Sequence, residues 1–264
     1  DERGLIRELS QFTQRTLIQQ VRLRDHRCLG GNRHFRKLRY GAHSGYAITD
    51  LPAADWYSLL DSVDRLIDQP GIKILKRSPS STVIEIHRPG SASFVSSILK
   101  VVPARKGASS LVSMIRASSV LRSYRWGHAF RIRGLPTPRP IAVWHRYLMG
   151  LPREGYLLLD KVPAAVDLRQ FVDQLGDRPC VEHRQRLRDV IDQLARLLRR
   201  MHGWNLSHRD LKAANILVSP AGWKVGARGL VEVPPDPSSG TDHLWFVDLV
   251  GVRDCKNLRK ERRI

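Results

Sequence analysis

The sequence has few cysteines and no long apolar run, and these absences exclude several classes of protein. Its three cysteines, Cys28, Cys180 and Cys255, lie far apart and form no CxxC pair. Neither a disulfide scaffold nor a cysteine zinc site is therefore expected, and a reducing compartment is indicated. No segment approaches the roughly 18 apolar residues of a membrane span. The chain opens on Asp1 rather than Met, from which we expect a processed chain or a fragment.

Acidic residues are also scarce. The chain has 45 Lys and Arg residues against 25 Asp and Glu, a net charge of +20, which favours an anionic partner such as nucleic acid, a phospholipid surface or a phosphorylated substrate. Residues 101–153 contain ten Lys or Arg and no acid, so this stretch is either a solvated basic face or an anion-binding face. No nucleic-acid recognition motif is present, and no nucleic-acid partner is expected.

The hydrophobic pattern predicts an ordered chain of mixed secondary structure. With 42% hydrophobic and 27% charged residues, wholesale disorder is excluded. Helical periodicity is present in residues 1–25, 51–67, 111–133 and 181–201, and β-branched or apolar runs indicate strands at 72–75, 82–86, 94–102, 141–144, 156–159, 216–218 and 244–247. This order predicts an α+β fold with two lobes.

One segment carries a specific catalytic signal. His208-Arg209-Asp210-Leu211 and the following residues to Asn215 fit the pattern H-R-D-L-x-x-x-N of kinase catalytic loops. An Asp at this place accepts the proton of an attacking hydroxyl, and the Asn five residues later turns back to bind Mg²⁺. Lys212 lies between them, where a cation can neutralise charge on the transferred phosphoryl group. A surface turn is the alternative interpretation.

Two further residues complete the predicted site. Asp248 follows the apolar strand Leu244–Val247, and we predict that it is a second Mg²⁺ ligand, although strands often end in Asp. Lys100 lies in an apolar strand, where an unpaired cation would be costly, and we predict that it holds the nucleotide phosphates. A lysine snorkelling from an edge strand is the alternative.

The loop expected to cover the phosphates, residues 76–82, contains no glycine. We predict instead that Ser78, Ser80 and Ser81, with nearby backbone N–H groups, contact the phosphates there.

This combination resembles the lipopolysaccharide kinase family, the heptose and Kdo kinases of bacterial envelope synthesis, over about Ile72 to Val252. Its marks include the glycine-poor loop, Leu99-Lys100, the segment Gly134-Leu135-Pro136-Thr137-Pro138, the catalytic loop and Phe246-Val247-Asp248-Leu249. The resemblance implies a protein-kinase-like fold and phosphorylation of an inner-core sugar hydroxyl with ATP and Mg²⁺. It implies that Asp210 is the base, that Asn215 and Asp248 hold the metal, and that Lys100 holds the phosphates.

The resemblance also predicts the organisation and surroundings of the protein. We expect an N-terminal extension (1–66), a β-rich N-lobe (67–159) and a helical, incomplete C-lobe (160–264). The expected partners are an anionic glycolipid or sugar and an acidic membrane surface, with a cytoplasmic location at the inner face of the cell membrane. A Ser/Thr protein kinase and a nucleotide-binding pseudokinase scaffold remain as alternatives.

Several features depart from the usual kinase pattern. Kinases orient the strand lysine with a helix Glu, but residues 101–153 offer none, so either another group such as Asp248 positions Lys100 or the enzyme is impaired. The glycine of the usual Asp-Phe-Gly motif comes one place late, in Asp248-Leu249-Val250-Gly251. The flip of that motif that accompanies inactivity in other kinases is therefore not assumed for this chain. The spacing between Asp210 and Asp248 leaves room for a hairpin insertion over Ser219–Asp242.

Arg116, Arg122 and Arg125 are predicted to face an acidic membrane.

Overall fold

The structure, a computed structural model, describes residues 2–51, 53–66, 72–89, 94–103, 119–176, 180–220, 223–226, 229–232 and 242–255. Its helices are α1 (Glu2–Arg24), α2 (Ala53–Leu66), α3 (Ser119–Ile132), α4 (Leu168–Leu175) and α5 (Val181–Gly203). Short 3₁₀ turns cover Arg27–Leu29, Ala213–Asn215 and Leu249–Gly251. The predicted helix over 111–133 is present from Ser119 onward, and its first part, with Arg116, lies outside the described residues.

A seven-stranded sheet forms the first half of the protein, in the order β1-β2-β6-β7-β5-β4-β3. Its strands are β1 (Phe35–Tyr40), β2 (His43–Ile48), β3 (Lys73–Ser78), β4 (Ser81–Pro89), β5 (Phe94–Pro103), β6 (Pro140–Leu148) and β7 (Leu151–Asp160). All neighbouring strands in it are antiparallel. The strands β1 and β2 come from the predicted N-terminal extension, and β2 pairs with β6. A Cβ added at Gly45 would lie 2.0 Å from the Val143 carbonyl oxygen, so this close approach of the strands requires glycine.

The two faces of the sheet have different coverings because side chains alternate along each strand. One face buries Ile84, Ile86, Leu99 and Val101 in the cluster that also contains Trp56, Leu60 and Val63 of α2. The α3 helix lies on the opposite face, where Val120 and Tyr124 pack with Val143 and Leu157. Lys100 pairs with Leu157 across β5 and β7, so the alternation places Lys100 on the α3 face.

The second half is built around α5 and short strands. These are β8 (Val166–Asp167), β9 (Leu206–His208), β10 (Ile216–Ser219), β11 (Trp223–Gly226), β12 (Gly229–Glu232), β13 (His243–Phe246) and β14 (Val252–Asp254). The pair β11–β12 is a hairpin within the predicted insertion. Met201 of α5 shares a buried cluster with Phe130 of α3 and Phe246 of β13, which joins the two halves. The predicted α+β architecture is confirmed.

The α1 helix packs across both halves. Gln14 donates to the carbonyl oxygen of Gly203 at 3.2 Å, and Arg22 forms an ion pair with Asp254. Directly after α1, the buried carboxylate of Asp25 accepts two hydrogen bonds, of 2.6 and 2.8 Å, from Arg133. Ile18 and Val21 are buried, so α1 is docked onto the rest of the protein.

The arginines of α3 do not form an exposed basic face. Arg122 and Arg125 are both half-buried, and the Arg125 guanidinium lies 5.0 Å from the centre of the Trp126 ring. Burial lowers the pKa of Arg131 to about 10. Because Arg116 lies outside the described residues, the membrane-facing role predicted for Arg116, Arg122 and Arg125 stays a prediction. No helix within the described ranges has the length and apolarity needed to cross a bilayer.

Candidate active site

The predicted phosphate lysine has a carboxylate partner. Lys100 Nζ donates to Asp248 Oδ1 at 2.8 Å, and both side chains are partly buried. Lys100 is held on the α3 face because its strand neighbours Leu99 and Val101 are buried on the other. The described part of α3 contains no acid, and Asp248 is the group that the sequence suggested in its place.

Asp248 adopts an uncommon backbone conformation. Its φ and ψ are both 55°, in the left-handed region that non-glycine residues rarely occupy, although Asp tolerates it better than most. Just before it, the Val247 N–H donates to the carbonyl oxygen of Asn215 at 3.0 Å. Such strain persists where the surroundings enforce it, and it is common at functional sites. The bend at Asp248 is thus tied to the predicted catalytic loop.

The catalytic loop is closed by hydrogen bonds among its own predicted residues. Asn215 Nδ2 donates to the Asp210 carbonyl oxygen at 2.8 Å and to its Oδ2 at 3.1 Å. Lys212 Nζ lies 3.0 Å from the same Oδ2. The structure therefore brings together Asp210, Lys212 and Asn215, with the Asp210 carboxylate at the centre.

The electrostatics of this loop keep its acid ionised. The hydrogen bond from Lys212 is the largest influence lowering the pKa of Asp210, and Asn215 adds to it. The Asp210 side chain is 54% exposed, so an incoming hydroxyl can reach it. His208 is buried, and burial lowers the pKa of its imidazole, which favours the neutral ring at pH 7.

Gly251, the glycine that comes one place later than in the usual Asp-Phe-Gly motif, packs against the catalytic loop. The Arg209 N–H donates to the Gly251 carbonyl oxygen at 3.1 Å, and a Cβ at Gly251 would lie 3.1 Å from the Asp210 nitrogen. The strand β14 that follows pairs with β9, which precedes Asp210. Because β10 also pairs with β13, the catalytic loop and the Asp248 turn are joined on both sides.

The Gly134–Pro138 segment has a structural role in this arrangement. Thr137 is buried, and its hydroxyl donates to the Phe246 carbonyl oxygen at 2.8 Å. The Phe246 N–H in turn donates to the Pro136 carbonyl oxygen at 2.9 Å. This segment therefore holds the strand that ends two residues before Asp248.

The three predicted phosphate-contacting serines form the turn between β3 and β4. Ser78 Oγ donates to the Ser81 carbonyl oxygen at 3.0 Å and accepts from the Ser81 N–H at 3.2 Å. It also lies 3.2 Å from Ser80 Oγ. These bonds stabilise a tight glycine-free turn, and contact with phosphate stays a prediction for all three residues.

The oxygen donors suit magnesium bound together with a nucleotide. Across the residues that the structure describes, no three His, Cys, Asp or Glu side chains come together as a metal site. Mg²⁺ usually takes one or two carboxylates and completes its shell with waters and substrate phosphates. Asp248 supplies a carboxylate, and Asn215, whose Nδ2 is bonded to Asp210, can offer its amide oxygen. The donor set fits the predicted ion.

Two features near the site were missed by sequence reasoning. Glu85 of β4 forms an ion pair with Lys161, which lies 76 residues away, and no local pattern indicates that pairing. The α4 helix was also missed. Its Asp167 cap accepts a hydrogen bond from the Gln170 N–H at 2.9 Å, and an Asp followed three residues later by Gln is a recognisable helix start.

Comparison with known proteins identifies the family. The model of the "Lipopolysaccharide kinase (Kdo/WaaP) family" matches residues 113–249, more than half of the chain. The chain belongs to this family. The predicted resemblance is confirmed, and the match includes Asp210, Asn215 and Asp248. Lys100 and the β3–β4 turn lie before the matched region.

Two individual proteins that resemble this chain each align with only part of it. Over 125 residues the chain is 32% identical to a 3-deoxy-D-manno-octulosonic acid kinase of Stenotrophomonas maltophilia (strain K279a), covering 45% of this chain and 46% of that protein. The chain thus spans about half the length of this curated relative. A solved structure of WaaP in complex with acyl carrier protein aligns with a TM-score of 0.44 and 19% identity, over 74% of this chain and 66% of that one.

Proposed function

We propose that the protein transfers the γ-phosphoryl group of ATP to a sugar hydroxyl of the lipopolysaccharide core. The observation that carries this proposal is the joining of two groups of residues. Asp210, Lys212 and Asn215 surround one carboxylate, and the adjoining turn pairs Asp248 with Lys100. This arrangement contains a base, a metal-binding pair and a phosphate-binding cation, as phosphoryl transfer requires.

Each residue has a distinct task in the proposed reaction. Asp210 is ionised and exposed, so it can accept the proton of the acceptor hydroxyl. Lys212, already beside that carboxylate, can stabilise charge on the transferred group. Lys100 binds the nucleotide phosphates, while Asn215 and Asp248 hold Mg²⁺. When bound, the ion neutralises phosphate charge and orients the leaving group.

We infer that the acceptor is a Kdo sugar. The family and the relative named as a 3-deoxy-D-manno-octulosonic acid kinase support this choice, and the net charge of +20 suits an anionic sugar. The test is radiolabel transfer from γ-labelled ATP to Kdo-bearing lipid A, heptose-bearing core and a basic protein substrate. Labelling of the Kdo acceptor is expected. Preferential labelling of the protein substrate would instead show a protein kinase, and ATP binding without transfer to any acceptor would show a pseudokinase.

We further propose that the protein works at an acidic membrane surface, as an anchored glycolipid acceptor requires. The α1 helix supports this location because Ile6, Leu9, Phe12 and Leu23 are exposed on it, and exposed apolar residues on a basic protein are typical of peripheral binding. Phe12→Ser combined with Leu23→Ser should weaken binding to anionic liposomes while ATP affinity is unchanged. Equal liposome binding by this variant and the parent would contradict the membrane contact.

A further inference from the structure

Glu85 is a buried carboxylate on the same face of the sheet as Lys100. In the β4–β5 pairing, Val83 lies opposite Lys100 and Glu85 lies opposite Ile98. Residues two apart on a strand share a face, so Glu85, Ile98 and Lys100 all lie on the α3 face. The intervening residues of β4, Ile84 and Ile86, are buried in the core on the other face.

The Glu85 side chain is only 7% exposed and has two cationic partners. Lys161 Nζ lies 2.5 Å from Oε1, and Lys73 Nζ lies 3.6 Å from Oε2. The hydrogen bond from Lys161 is the largest influence lowering the pKa of Glu85. Burying a carboxylate is costly unless it is paired and hydrogen-bonded, so Lys161 is the partner that keeps this charge in place.

The two lysines belong to different parts of the protein. Lys73 lies on β3 and is 69% exposed. Lys161 follows the last residue of β7 and begins the connector (residues 161–165) from the sheet to β8 and α4. The Lys161 N–H also donates to the Ser96 carbonyl oxygen at 3.3 Å. Lys161 is thus attached to the sheet through both its backbone and its side chain.

The connector borders the part of the α3 face next to Lys100. Ile98 pairs with Leu159 on one side and with Glu85 on the other, and both Ile98 and Leu159 are only half-buried. A nucleotide whose phosphates lie at Lys100 can extend its base along this apolar row, since two strand residues span about 7 Å. Its base would then lie beside the start of the connector.

We propose that Glu85, acting through Lys161, is a positioning residue for nucleotide binding. The ion pair fixes the start of the connector against the sheet, so that the edge of the base site is formed before ATP arrives. This inference rests on the proposed kinase function. A preformed site loses no binding energy to ordering the connector.

The test compares three single variants by KM for ATP, kcat and the Kd for Mg-ATP. Glu85→Gln and Lys161→Met should each raise KM and Kd about tenfold, which corresponds to about 1.4 kcal/mol, with kcat changed less than about twofold. Lys73→Met removes a lysine that also pairs with Glu85 but lies outside the connector. This control should leave KM and Kd within about twofold of the parent. The double variant Glu85→Gln, Lys161→Met should be no weaker than either single variant.

Different results separate the possible failures. A lower melting temperature for Glu85→Gln with unchanged Kd would show a purely structural ion pair and overturn the proposal, as would an equal rise in Kd for Lys73→Met. If Glu85→Gln does not fold, Lys161→Met decides the question alone, because Lys161 is 31% exposed. A parent protein that does not bind Mg-ATP would refute the kinase function itself, and this inference with it.

Discussion

Lys100 and Asp248, which are 148 residues apart, form an ion pair with an Nζ–Oδ1 distance of 2.8 Å. One residue comes from the central sheet and the other from the turn beside the catalytic loop, so the pair connects the two halves of the site. Since the described part of α3 offers no acid, Asp248 both positions this lysine and serves as the proposed metal ligand.

Removing the two proposed metal ligands should have unequal effects. Asp248→Ala removes a carboxylate and leaves Lys100 without its partner, whereas Asn215→Ala removes a neutral amide. Loss of a residue that only orients a metal ligand costs about 10–100-fold in affinity. Asp248 is the proposed ligand itself, so we expect Asp248→Ala to weaken Mg-ATP binding by at least about 100-fold. Calorimetry with and without Mg²⁺ measures this. Unchanged affinity in the Asp248 variant would mean that the carboxylate only ends a strand.

Gly251→Ala should impair catalysis more than folding. The added methyl group would lie 3.1 Å from the Asp210 nitrogen, and a small displacement of a catalytic group can cost about 10²-fold in rate. Gly203→Ala is the matched control, because a Cβ there meets nothing within 4 Å. The comparison uses kcat together with the melting temperature. Full activity of Gly251→Ala would show that the contact between this glycine and the catalytic loop has no effect on the base.

Thr137→Val should destabilise the protein while preserving the shape of the side chain. The buried hydroxyl donates to the Phe246 carbonyl oxygen, and a buried acceptor left unsatisfied costs about 1–3 kcal/mol. Thr13→Val is the control, since Thr13 also donates to a backbone carbonyl oxygen, that of Leu9, but is exposed. Denaturant unfolding of both variants gives the comparison. Equal stability of the two variants would remove the structural role assigned to Thr137.

Lys212→Met should raise the pKa of Asp210. In the parent, Lys212 is the main influence that lowers this pKa, so Asp210 stays ionised to a lower pH than an ordinary Asp. Without Lys212 the carboxylate should become protonated at higher pH, nearer its usual range. A ¹³C NMR titration of the Asp210 carboxyl group follows the change directly. Identical titration curves would show that Lys212 does not interact with the base in solution.

Local patterns predicted the candidate catalytic loop because its residues are near neighbours in the sequence. Asp210, Lys212 and Asn215 lie within one loop, and their spacing alone brings them together. The place of Asp248 directly after an apolar strand was also predicted. By contrast, the pairing of β2 with β6 places Gly45 beside Trp144, and such distant pairings are set by the whole packed sheet.

Ion pairs between residues far apart in the sequence were likewise not predicted from local patterns. Arg133 and Asp25 are 108 residues apart, and neither residue carries a local signal for the other. The basic stretch 101–153 was interpreted as a solvated or anion-binding face, but composition does not show that Arg133 is buried against an acid from the segment after α1. The ion pair between Glu85 and Lys161 was not predicted for the same reason.

The most direct test of the kinase account is the rate of phosphoryl transfer from ATP to Kdo-bearing lipid A by the parent protein and by Asp210→Asn. A positioned base contributes about 10²–10⁴-fold, so the variant should lose about that much rate while it still binds Mg-ATP with affinity close to that of the parent. Equal rates in the two proteins would contradict the assignment of Asp210 as the catalytic base.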